Sequence, residues 1–204
     1  MTLISEHTET DNRERILVVA ERLFRQIGYQ KTTVADIAKE LRMSPANVYR
    51  FFDSKNAIHQ AVARTLMGEV EEAAQAIASG PGSATSRLRK LLSAIHHMNS
   101  ERYVGDAKLH EMVAVAMEEN WDVCATHMML IGQIIGQVIS EGAESGEFEV
   151  ANVLQATMCA TTAMIRFFHP QMIAQCSNKP SPMLEEMIDF VIAGLSPRAR
   201  PVRG

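Results

Sequence analysis

The sequence predicts an all-α chain of about nine helices: a three-helix N-terminal domain with a helix-turn-helix over residues 1–55, then a larger helical bundle over 56–204. Three observations carry this. No alternating β-branched run and no Asn-Gly or Asp-Gly hairpin is present. Apolar residues recur at three- and four-residue steps along the chain. Ser, Thr, Asp, Pro and Gly punctuate those periodic segments where helix caps belong.

The first helix has Ile16, Val19, Ala20, Leu23, Phe24 and Ile27 on one face. Asp11 with Glu14 reads as its entry cap and Gly28 as its stop. Thr33 with Asp36 forms a second capping box, opening a helix over Val34 to Leu41. Ser44 caps a third helix, and Pro45 falls at its first position, where a missing N–H is tolerated. Asp53 or Ser54 caps a fourth, longer helix to about Ala78, broken by Gly80-Pro81-Gly82. Further helices are expected at 84–101, 104–118, 121–145, 150–168 and 182–195, separated by Gly105, Gly146, Pro170 and the Pro180/Pro182 segment. The tail from Pro197 is basic.

Composition narrows the function. Apolar residues make up 47% of the 204, enough for a substantial core. The N-terminus lacks the apolar stretch of a signal peptide. Met128 to Ile139 is interrupted by glycine and glutamine, and it is shorter than the about 20 residues that span a bilayer. No membrane association is expected. Cys124, Cys159 and Cys176 lie far apart with no CxxC, so free thiols in a reducing, cytoplasmic setting are expected. The net charge of −4 is uneven. Residues 13–55 hold nine Lys/Arg against five Asp/Glu, whereas 56–204 hold eleven against sixteen. A basic end on an acidic body suits a polyanion partner at that end.

Only Arg42, Met43 and Ser44 separate the second and third helices, which forces the sharp angle of a helix-turn-helix. Ala38 is small where the helices cross, and Ile37, Leu41, Val48 and Phe52 fill the wedge. Pro45, Ala46, Asn47, Tyr49 and Arg50 then face outward, with hydrogen-bonding groups and no carboxylate. Such a helix can enter the major groove of double-stranded DNA. The N-terminus of the fourth helix, with Lys55, would clamp a phosphate. Thr33 and the Tyr49 hydroxyl would reach phosphate elsewhere.

The stretch "ILVVAERLFRQIGYQKTTVADIAKELRMSPANVYRFFDSKNAI" resembles the DNA-binding domain of the TetR family of bacterial transcriptional regulators. The matching residues are Gly28-Tyr29, Thr32-Thr33-Val34, Ile37-Ala38, Met43-Ser44, Tyr49-x-x-Phe52 and Lys55. The resemblance implies that Thr33, Tyr49 and Lys55 contact phosphate, and that Pro45, Ala46, Asn47 and Arg50 read bases. Two positions depart from the pattern. Arg42 stands where the family often has glycine; positive φ there would cost about 1 kcal/mol, offset where the side chain gains a phosphate contact. Phe51 stands where the family often has tyrosine or histidine.

The remaining residues match the family only in layout. Residues 150–165 carry no charge. Val150, Leu154, Met158, Thr161, Met164 and Ile165 recur at helical spacing, as do Met187 and Val191 in the last helix. A helix apolar all round needs partners on both sides. These residues are therefore the expected homodimer seam, and the resemblance implies the same four-helix interface. Eleven of the thirteen methionines follow residue 60. Methionine adapts to irregular apolar ligands, so Met98, Met112, Trp121, Cys124 and Met128 are the candidate walls of an effector cavity. His96, His97, His110, His127 and His169 invite a metal reading, with Cys124 and His127 on one face. No HExxH-type motif accompanies them, and neither a metal nor a cofactor is expected. No nucleophile–base pair, phosphate loop or paired carboxylates support a catalytic site. The expected function is a ligand-responsive DNA-binding regulator, a repressor that binds a palindromic operator as a dimer and is released by a small apolar or amphipathic effector. The alternative is a small helical enzyme or metal-binding protein with an incidental helix-turn-helix.

Overall fold

The structure is a computed structural model and describes residues 3–103, 108, 112, 115–117, 121–176 and 180–197. Among the described residues the chain is helical, with no strand. It divides into two compact units. One comprises Met1–Gly68 and Gly105–Ala125, the other Glu69–Val104 and Thr126–Gly204. The division expected at residue 55 therefore differs. The helix that begins at Lys55 contributes its first fourteen residues to the first unit, and a later segment returns to that unit.

The first unit contains α1 (Leu3–Ile27), α2 (Val34–Glu40), α3 (Pro45–Tyr49) and the start of α4 (Lys55–Ala78). α1 runs through Asp11 without a break, so the entry cap read from Asp11 and Glu14 is corrected. Residues 3–10 contain no glycine or proline to interrupt the helix. Ile16, Ala20, Phe24, Ile37, Val48 and Ile58 are all buried; α1 packs its apolar stripe against α2, and its Phe24 ring meets His59 of α4 edge-on. Gly28 ends α1 with φ of 96°, a left-handed conformation in which glycine carries no Cβ penalty.

The second unit holds the rest of α4 with α5 (Ala84–Tyr103), most of α6 (Trp121–Glu144), α7 (Val153–Phe168), α8 (Pro170–Cys176) and α9 (Leu184–Leu195). Leu88, Leu91, Leu92, Ile95, Ile135, Ile139, Met164 and Ile188 fill its core. α7 starts three residues later than expected because Asn152 caps it, its Oδ1 accepting from the Gln155 N–H. α8 lies where only punctuation was expected. Pro170 serves as its first helical residue rather than as a breaker. The α5 N-terminus is capped from a distance. The Glu147 carboxylate accepts from the Ala84 and Thr85 N–H groups at 2.9 and 3.0 Å, which holds its pKa below the ordinary value. α6 is long and apolar enough to cross a bilayer, by length and composition only. Ile131, Ile134, Ile135, Val138 and Ile139 of this helix are buried in the second unit's core.

The ring of Phe148 lies directly against the α6 backbone at Gly142. A Cβ there would sit 2.1 Å from Phe148 Cδ2 and 2.9 Å from Ala84 Cβ. Gly142→Ala is therefore expected to destabilise the protein by about 1–3 kcal/mol through overpacking. Urea denaturation monitored by circular dichroism reads this as a lower midpoint. An unchanged midpoint would show that the ring can step aside.

Candidate nucleic-acid interface

The turn between α2 and α3 is built by short-range hydrogen bonds. Thr33 caps α2: its Oγ1 accepts from the Asp36 N–H at 3.1 Å, and the Asp36 carboxylate accepts from the Thr33 N–H at 2.9 Å. α2 ends in a Schellman motif. The Arg42 N–H donates to Lys39 O, and the Met43 N–H donates to Ala38 O at 2.8 Å. That motif requires a left-handed residue at position 42, and Arg42 has φ of 55°. A non-glycine residue there costs about 1 kcal/mol. Arg42 is exposed, so its guanidinium is accessible to an anion. Ser44 Oγ then accepts from the Asn47 N–H, and Pro45 opens α3. The Ser44 oxygen thus serves the helix cap, leaving its O–H for a partner.

α3 is five residues long and is held from below by Val48 and Phe52, both buried. Ala46, Tyr49 and Arg50 lie with Pro45 and Asn47 on the side away from that core, so the residues singled out in the sequence share one outward surface. No acidic residue lies within α3. This surface presents hydrogen-bonding side chains on a short, capped helix, the arrangement that reads base edges in a major groove.

Two expected phosphate contacts are changed by the geometry. Thr33 Oγ1 donates to Asp36 Oδ2 at 2.6 Å, and the same oxygen takes the Thr33 N–H. Both donors of Thr33 are therefore engaged by a carboxylate, whose pKa the Thr33 hydroxyl and N–H hold below the ordinary value. In the free chain Thr33 thus serves as an internal cap, and a phosphate contact from it would have to compete with the Asp36 carboxylate. Lys55 is also partly engaged. Its Nζ donates to Tyr29 O at 3.0 Å and Gln30 O at 3.4 Å, and lies 4.3 Å from the Tyr29 ring centroid. An ammonium has three N–H groups, so one remains for an outside anion. Ser54, rather than Asp53, caps α4 by accepting from the Ala57 N–H.

His59, one turn along α4 from Lys55, carries no signal in the sequence that marks it out. It is buried, with its ring 4.4 Å from Tyr29 and its Nε2 3.1 Å from Met112 O. Burial, with a smaller push from Lys55, lowers its pKa to about 4, against the Met112 hydrogen bond that raises it. The ring is therefore neutral at pH 7, and Nε2–H donates to the Met112 carbonyl.

The candidate effector residues are dispersed. Met112 and Cys124 are buried in the first unit, and burial raises the Cys124 thiol pKa. In the second unit, Met98 packs partly buried against the core, whereas Met128 is 42% exposed. Met128 is thus corrected to a surface residue. The Trp121 side chain lies outside the described residues, as does His110. His127 Nδ1 sits 2.7 Å from Glu71 Oε1, so its partner is a carboxylate rather than Cys124. Among the described residues, no three of His, Cys, Asp and Glu are gathered as metal ligands.

The seam expected on α7 and α9 separates into two faces. Met164 and Val191 are buried in the second unit's own core, while Val150 and Met187 pack partly against it. Met164 and Val191 are therefore corrected to core positions. Thr161 is half-buried, its hydroxyl donating to Thr157 O. Leu154, Met158 and Ile165 are exposed, and so is Phe190 at 70%, a residue outside the expected set. Between α7 and α9 runs a groove of about 500 Å³ lined by Ala156, Cys159, Ala163, Phe190 and Gly194.

Comparison with known proteins places this architecture. Residues 16–62 match the model of bacterial regulatory proteins of the tetR family, and residues 84–186 match a tetracyclin repressor-like C-terminal domain. The chain belongs to the TetR family of transcriptional regulators. No curated protein matches it at a level that marks a relative. Among solved structures it is similar to a TetR/AcrR-family regulator from Thermobifida fusca, with 24% identity, 90% of this chain and 95% of that one covered, and a TM-score of 0.62. It is also similar to FadR of Thermus thermophilus, a TetR-family repressor in complex with lauroyl-CoA, at 17% identity, with 94% and 99% covered and a TM-score of 0.61. A third is a transcriptional regulator from Saccharomonospora viridis in complex with choline, at 18% identity, with 93% and 100% covered and a TM-score of 0.66. At these identities the likeness establishes the fold.

Proposed function

We propose that this regulator is a homodimeric repressor that binds a palindromic operator and is released by a small apolar or amphipathic effector. The observation that carries the reading is α3. It is short and capped, and its outward Pro45, Ala46, Asn47, Tyr49 and Arg50 include no carboxylate. Asn47 and Arg50 read base edges. Tyr49, Arg42, the Ser44 O–H and the remaining N–H of Lys55 contact phosphate. Protein that reads operator DNA works in the bacterial cytoplasm. The outer face of α7 and α9 joins a second copy, since Leu154, Met158, Ile165 and Phe190 form an apolar surface exposed in the single chain. The effector binds among residues 60 to 145, which hold six of the thirteen methionines, and the lauroyl-CoA of one relative is amphipathic in the same sense. It releases DNA only to the extent that it prefers a second arrangement of the dimer, in which the reading heads no longer match successive grooves.

Gel retardation at several salt concentrations tests the DNA reading and the roles within it. Lys55→Ala should weaken operator and random duplexes alike and flatten the salt slope by about one unit. Asn47→Ala should cost roughly 1–3 kcal/mol on the operator alone. Random-duplex affinity and slope untouched by Lys55→Ala would leave Lys55 only as a tie to the Tyr29 and Gln30 carbonyls. Wild-type protein that retards no duplex at any salt concentration would defeat the reading outright.

A further inference from the structure

Arg13 belongs to α1, far from the reading helix in sequence, yet it touches that helix's far end. Its Nη1 donates to Phe51 O at 2.8 Å, and its guanidinium carbon lies 4.2 Å from the centroid of the Phe52 ring. α3 is five residues long, too short to hold its direction by its own hydrogen bonds. At its start, Ser44 and Pro45 fix it, and Val48 and Phe52 seat it from below. The carbonyls just past its last turn have no helical partner. Arg13 supplies one of them with a charged donor, where a cation also suits the negative end of the helix dipole. The planar guanidinium meets the Phe51 carbonyl and the Phe52 ring together, which an ammonium cannot do with the same geometry.

Resting on the DNA-binding reading above, we propose that Arg13 is a positioning residue for operator recognition. It pins the C-terminal end of α3 to α1 and so sets the angle at which Asn47 and Arg50 leave the helix. Arg13 is exposed and lies in the basic part of the chain, so the competing role is a direct phosphate contact. The two roles differ in what they change. A phosphate contact strengthens every duplex and steepens the salt dependence. A positioning residue favours the correct sequence over others.

The test compares wild type, Arg13→Gln and Arg13→Lys on two probes: the duplex that wild type enriches from a random-sequence pool, and an unselected random duplex. The ratio of the two affinities is insensitive to a loss of folded protein, because a smaller active fraction lowers both equally. Arg13→Gln should reduce that ratio about tenfold, the low end of what a charge-assisted hydrogen bond alone is worth, with the salt slope nearly unchanged. Arg13→Lys keeps the charge and should recover only part of the ratio. The proposal is overturned if Arg13→Gln keeps the wild-type ratio. It is also overturned if Arg13→Gln weakens both probes alike with a slope flattened by about one unit and Arg13→Lys restores both. A wild type that enriches no sequence overturns the DNA-binding reading, and the positioning role with it; that failure shows in the wild type rather than in the variants.

Discussion

Met158→Glu should turn a dimer into a folded monomer and lower operator affinity by about 100-fold or more. Met158 is 60% exposed, so a carboxylate there stays in water in the single chain and leaves the core intact. In the dimer the same carboxylate would be carried into an apolar seam opposite its symmetry copy, because a two-fold interface presents the same patch twice. Losing the second reading head removes the gain from binding two half-sites together, which is on the order of 10²–10⁴ in affinity. Phe190→Glu should act in the same way from α9. Met164→Glu is a poor test despite its place in the helical pattern, since Met164 is fully buried and a charge there would unfold the second unit. Light scattering at micromolar concentration, paired with a thermal melt, separates the outcomes. A wild type already monomeric would remove the seam. A Met158→Glu variant still dimeric would place it elsewhere.

Acid should loosen the first unit through His59. Its folded pKa of about 4 lies below the ordinary 6.5. Between these values the unfolded chain binds a proton that the folded chain does not. The stability contributed is therefore complete above pH 6.5 and is lost as the pH falls through 4. The total is about 3 kcal/mol for a shift of this size. His59→Gln keeps a donor for the Met112 carbonyl and does not titrate. Its stability should fall less steeply than that of wild type between pH 6.5 and 4.5, in urea titrations at a series of pH values. Asp36, Glu141 and Glu147 are carboxylates with lowered pKa values, so their contributions are lost only below their ordinary values of 3.8, 4.5 and 4.5, beneath that window. Parallel curves for the two proteins would show that His59 is not the sensitive group.

Features governed by neighbours along the chain are legible in the sequence alone. Thr33 with Asp36, Ser44 with Pro45, and the strained turn at Arg42 are set by residues within five positions of each other, and each lies where the pattern places it. Features made by distant pairs are not legible. Nothing near Lys55 announces that its ammonium meets the Tyr29 carbonyl, and nothing near Arg13 points to Phe51. The α7 helix shows a different limit. With no charged residue between 150 and 165, its sequence offers no polar stripe to mark which side faces solvent. The periodic set therefore mixes Met164, which faces the core, with Leu154 and Met158, which face outward. Phe190 escapes notice for a related reason: an aromatic residue in an apolar helix reads as core unless the packing is known.

Selection of bound duplexes from a random-sequence pool by the wild-type protein tests the central claim most directly. A dimer carrying two copies of α3 should enrich an inverted repeat whose half-site centres lie about one helical turn, roughly 34–36 Å, apart. A pool that stays unenriched after repeated rounds would contradict operator binding, and a single half-site without its inverted partner would contradict the dimer.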